Sequence, residues 1–142
     1  MLQGLYFDEL RVGQTAETTH VVGAADIEAF AAVSGDYNPV HMDEAYAKTT
    51  TFGGRIAHGM LSAAYISAVL GNDLPGPGAI YLSQTLNFRR PVKIGDVVTA
   101  RVTVAAIDTE KARVTFTTVC EVTGKAVVQG EAVIMAPRRD GA

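Results

Sequence analysis

The sequence predicts an α+β fold in which a curved antiparallel sheet wraps around one central helix. Helical spacing dominates the first half of the chain, whereas after Gly78 apolar residues alternate with polar ones at the two-residue period of a strand. The longest helical pattern, Gly59 to Leu70, contains no charged side chain. Such a helix needs cover on most of its circumference, and the concave face of a sheet provides it.

Taken in order, Thr15 to Val22 alternate as a short strand, and Gly23 then caps a helix running through Phe30 to Val33. Asp26 and Glu28 lie in its first turn, where negative charge suits the helix dipole, and Ile27, Phe30, Ala31 and Ser34 keep helical spacing. The run Ser34-Gly35-Asp36-Tyr37-Asn38-Pro39 is turn chemistry, with Asn38 pushed out of the α region by the proline after it. Asp43 to Lys48 reads as a second short helix, acidic at its start and basic at its end. A loop with the tight glycine pair Gly53-Gly54 leads into the uncharged helix, which Gly71-Asn72 stops.

Beyond Pro75-Gly76-Pro77-Gly78, strand patterns cover Ile80 to Phe88, Val98 to Val104, Val114 to Val122 and Val127 to Met135. Thr123-Gly124-Lys125 and Lys93 to Asp96 are read as hairpin turns between them. Short turns between consecutive strands imply antiparallel pairing. With no repeat and no linker, residues 1–142 read as a single domain large enough for one core.

Composition excludes several function classes. The chain has a formal net charge of -3, with Lys and Arg scattered, which argues against a nucleic-acid partner. Arg138 and Arg139 are read as a solvated tail. Cys120 is the only cysteine, so an internal disulfide is impossible, and no Cys/His spacing suggests a metal. No membrane span and no charged leader segment is read from the pattern, so a cytoplasmic place with no membrane partner is expected. No Ser/His/Asp elbow, P-loop or GxGxxG fingerprint is present, and no cofactor is expected.

Asp36 and His41 stand five residues apart across the Asn38-Pro39 bend. A carboxylate and an imidazole brought to one small volume form a general acid/base pair. Singly, each has a plainer reading: Asp36 as an Asx-turn residue, His41 as a residue entering the helix at Asp43. Gly59 opens the uncharged helix, where backbone N–H groups point outward and can polarise a carbonyl, or where glycine merely permits close packing.

The stretch Phe30-Ala31-Ala32-Val33-Ser34-Gly35-Asp36-Tyr37-Asn38-Pro39-Val40-His41, with Ala47 six residues on, resembles the hydratase motif of the MaoC-like family, the (R)-specific enoyl-CoA hydratases. Arg55-Ile56-Ala57-His58-Gly59-Met60-Leu61 is similar to that family's second signature. Leu86-Asn87-Phe88-Arg89-Arg90-Pro91-Val92 with Gly95-Asp96 looks like its strand signature. The resemblance implies the hot-dog fold and reversible hydration of a trans-2-enoyl-CoA to the (R)-3-hydroxyacyl thioester. The likeness is close to the short single-domain bacterial hydratases that supply polyhydroxyalkanoate synthesis.

By the same resemblance, Asp36 and His41 bind and activate water, with the order of proton transfers open, and Gly59 serves as the oxyanion donor. Ser67, which alone would read as bonding the preceding turn's carbonyl, is implied to lie beside the pair. Among residues expected at the substrate, Asn38 fixes the loop, Tyr37 packs or lines the tunnel, His58 supports the loop or caps the helix, and Leu70 faces the acyl tail. A homodimer is expected, since a lone sheet leaves open edges, and the resemblance implies that the two units join edge to edge. Arg55, Arg89, Arg90 and Lys93 form a basic rim that serves CoA phosphates or an acidic carrier protein, so a (3R)-hydroxyacyl-ACP dehydratase is the nearest alternative. A hot-dog thioesterase and a non-catalytic acyl-thioester binding protein are more distant ones.

Overall fold

In the computed structural model, residues 3–139 are described. Strand β1 (Thr15–Val21) precedes helix α1 (Ala24–Ser34), the one-turn helices α2 (Pro39–Met42) and α3 (Glu44–Ala47), and the long helix α4 (Gly59–Asn72). Then come β2 (Ile80–Gln84), β3 (Asn87–Phe88), β4 (Val97–Asp108), β5 (Arg113–Val122) and β6 (Lys125–Met135). The strands form one sheet in the order β1-β4-β5-β6-β2, every pair antiparallel, with β3 also on β6.

Alternation decides which way each strand faces. Val98, Ala100, Val102 and Val104 of β4 are at most 1% exposed, whereas their odd-numbered neighbours face outward, where Arg101 bridges Glu17 at 2.9 Å and Glu121 at 2.7 Å. Val114, Phe116 and Cys120 of β5 and Ala132 and Ile134 of β6 complete the inner face. Against it lies α4, which buries Ile66, Val69 and Leu70 together with Leu61. The expected sheet around a helix is therefore the architecture observed.

Two turn expectations part ways. Thr123 and Gly124 both take positive φ, 49° and 78°, and close a two-residue hairpin between β5 and β6. Lys93 to Asp96 also turns tightly, its ends tied by the Lys93 N–H to the Asp96 carboxylate at 2.8 Å. It is not a hairpin, however: β3 before it pairs with β6, and β4 after it pairs with β1 and β5, so the chain crosses the sheet there. The Ile80 to Phe88 stretch is also interrupted. Thr85 presses its carbonyl against Gly130, where any Cβ would collide, and its N–H and hydroxyl bond Glu131 instead.

The terminal arginines are less free than expected, since Arg139 pairs with Asp8 at 3.0 Å and Arg138 lies over the Phe7 ring at 5.3 Å. Two apolar surfaces stay open. Strand β2 exposes Ile80, Tyr81 and Leu82 at 40–52%, and α4 turns Met60, Ala64 and Ser67 outward. No helix among the described residues is long and apolar enough to cross a membrane.

Candidate active site

Asp36 follows Gly35, whose φ of 79° ends α1 in the left-handed region that glycine adopts without strain. The Asp36 carboxylate accepts the Asn38 N–H at 3.2 Å, so the Asx-turn reading holds as well, and its second oxygen has no bond of this kind. Asn38 is the N-cap of α2: its side-chain oxygen accepts the Val40 N–H at 3.1 Å, and Pro39 occupies the first helical position, where a missing N–H costs nothing. His41 thus stands on a short helix that the sequence pattern showed only as a turn. The next helix is nearer expectation, with Asp43 capping α3 through the Tyr46 N–H at 3.2 Å.

The loop is stitched to the segment before α4. Arg55 Nε donates to the His41 carbonyl at 2.6 Å, the Ile56 N–H to the Val40 carbonyl at 3.3 Å, and His41 Nδ1–H to the Ile56 carbonyl at 2.7 Å. Because a carbonyl only accepts, His41 Nδ1 carries the proton and Nε2 is bare. Burial lowers the pKa of His41 below the ordinary imidazole value; the Ile56 bond and Asp36 raise it, and His58 lowers it further.

His58, only 2% exposed, is the N-cap of α4. Its Nε2–H donates to the Asp36 backbone carbonyl at 2.9 Å, and its ring stacks on His41 at 4.0 Å between centroids. Gly59 is the first residue of α4, so the partial positive end of the helix opens here. The close-packing reading of Gly59 also holds, because a Cβ there would sit 2.6 Å from the Phe88 ring. One cavity of about 350 Å³ joins these groups, its wall including His41, His58, Gly59, Phe88, Arg89 and Arg90.

Donor atoms of Asp36, His41 and His58 lie within 4.8 Å of one another, the one set among the described residues that could hold a metal ion. One nitrogen of each ring is already committed to a carbonyl. The arrangement suits proton transfer: a bare imidazole nitrogen and a carboxylate share a small volume, next to a helix end that can polarise a carbonyl.

The other expected residues lie elsewhere. Ser67 is exposed on α4, eight residues beyond Gly59 and thus about 12 Å along the axis, outside the cavity wall. Leu70 is 1% exposed within the core, because it falls on the stripe of α4 that packs on the sheet. Tyr37 is 61% exposed and does not line the cavity. Sequence reasoning missed Ser62, which is 2% exposed and lines the cavity floor one turn after Gly59, a spacing that could have flagged it. It also missed Phe88 as the cover of Gly59.

A sheet wrapped around one helix, with an acid/base pair at the helix's open end, is the architecture of the hot-dog enzymes that act on thioesters. The chain belongs to the MaoC-like family: the MaoC like domain matches residues 9–128. It is 55% identical to an (R)-specific enoyl-CoA hydratase of Rhodospirillum rubrum, over 94% of this chain and 93% of that protein. Among solved structures, R-hydratase PhaJ1 of Pseudomonas aeruginosa superposes with a TM-score of 0.91 at 53% identity, covering 96% of this chain and 88% of the other. The (R)-hydratase of A. caviae involved in PHA biosynthesis gives 0.88 at 49% identity, covering 90% and 98%.

Proposed function

We propose that the protein is an (R)-specific enoyl-CoA hydratase that adds water reversibly to the double bond of a trans-2-enoyl-CoA. The observation that carries this reading is the Asp36 carboxylate within 4.8 Å of the His41 and His58 rings, which line one cavity together with the Gly59 helix end. His41 and Asp36 hold the attacking water between them; one takes its proton as oxygen bonds to the β-carbon, and a proton is delivered to the α-carbon. The thioester oxygen gathers the electron pair as an enolate, and the Gly59 N–H at the α4 terminus stabilises it. The high identity to proteins named as (R)-specific hydratases supports the reading over that of a thioesterase or a binding protein.

Arg89 and Arg90, on the cavity wall, suit the phosphates of the carrier. Asp36 and His41 approach from one loop, so water and proton reach one face of the alkene, and the family likeness makes the product (R). The open β2 edge and the outward face of α4 support a homodimer, a cytoplasmic setting and supply of hydroxyacyl units to polyhydroxyalkanoate synthesis complete the proposal. Hydrating crotonyl-CoA and offering the product to (R)- and (S)-specific 3-hydroxyacyl-CoA dehydrogenases tests it. Nicotinamide reduction by the (R)-specific enzyme is expected; reduction by the (S)-specific enzyme alone overturns it. Comparison of rates on CoA and carrier-protein thioesters separates the dehydratase alternative.

A further inference from the structure

Of the three histidines, His58 alone is buried, and the water-addition chemistry leaves it without a task. Two different contacts tie it to the two reacting residues. Its Nε2–H holds the Asp36 backbone carbonyl at 2.9 Å, and its face lies on the His41 ring at 4.0 Å with 30° between planes. Phe30 tilts against the same ring at 4.8 Å. With Nε2 protonated, Nδ1 is left as a lone pair sealed from water and without a partner. A buried, unanswered acceptor is a cost to the fold, which a phenylalanine in the same slot would avoid.

We propose that His58 is a positioning residue of the reaction, locking the Asp36 backbone and the His41 ring into one stack at the mouth of α4. The role deepens the hydratase reading and rests on it. The stack also bears on protonation, because a charge on one imidazole opposes a charge on a second one in face contact. The charged groups facing the pair are Asp36, which favours a proton, Arg55 behind the His41 carbonyl, and Arg89 and Arg90 along the cavity, which disfavour one. The neutral His41 that can accept a proton therefore persists to lower pH with His58 present than without it.

Histidine-selective ¹⁵N labelling of the wild-type protein reads the tautomers directly. The neutral His58 ring is expected as Nε2–H with bare Nδ1. An Nδ1–H tautomer overturns the proposal whatever the variants do. In kinetics, His58→Phe keeps a ring but loses the donor, and is expected to lower kcat about tenfold or more with KM within about twofold. Its acid limb should move up in pH. His58→Gln, which restores a donor for the Asp36 carbonyl, should recover part of kcat. Wild-type kcat in His58→Phe, or a loss with an unmoved acid limb, also overturns it. If the wild-type protein hydrates no enoyl thioester, the hydratase reading falls, and the tautomer measurement alone decides His58.

Discussion

His41 owes its reactivity to the atom it does not use. With Nδ1–H spent on the Ile56 carbonyl, Nε2 is left to serve as the base of the proposed reaction, and burial lowers its pKa below the ordinary imidazole value. The base must be neutral, so activity falls as pH drops through the lowered pKa; the acid limb of kcat/KM is expected below the ordinary value of about 6.5. A limb above that value would contradict the cause assigned to the shift. The same histidine has its folded pKa depressed, so protons bind more readily to the unfolded chain and stability declines on acidification through the unfolded value. Asp36→Asn and His41→Ala are each expected to lower turnover on the order of 10²-fold or more, with circular dichroism unchanged because neither side chain is in the core. Near-normal hydration by a folded variant would remove that residue from the mechanism.

At the level of elements, α4 does two jobs on two sides. Its stripe Ile66, Val69 and Leu70 is core, so Leu70→Ala should lower unfolding free energy by about 2–5 kcal/mol in denaturant titration while leaving acyl-chain preference in place. A stable variant with altered chain length would instead put Leu70 on the substrate. The strands and α4 were legible because burial imposes a period, two in β4 and β5 and nearly four in α4, that residues such as Val98, Val102 and Ile66 print directly. The proposed acid/base pair was legible through the resemblance of Gly35-Asp36-Tyr37-Asn38-Pro39-Val40-His41 to the hydratase motif, since the bend alone left plainer readings of both residues. Helix α2 was not, since one turn held by the Asn38 cap has no periodicity to print. The crossover at Lys93 to Asp96 was hidden for another reason: turn residues record that the chain bends, and the partner strands are chosen by the sheet as a whole.

Over the whole molecule, the sheet ends at β2, whose apolar side chains Ile80, Tyr81 and Leu82 face water beside an edge of unpaired backbone groups. Edges of this kind are covered or blunted in stable proteins. Light scattering at micromolar concentration is expected to give twice the chain mass, and Leu82→Lys to shift the population toward single chains. A fully active wild-type monomer would show that the edge needs no partner.

Cys120 lies under α4 with its thiol directed at the Ser62 carbonyl at 3.3 Å, and burial pushes its pKa up to about 12. The thiolate that disulfide reagents and maleimides require is thus all but absent at neutral pH. Since it is the only cysteine in the chain, the native protein is chemically silent toward such reagents. Free CoA can then be followed with a chromogenic disulfide without background from the enzyme, and a single cysteine placed at β2 would accept a dye or spin label at that point alone.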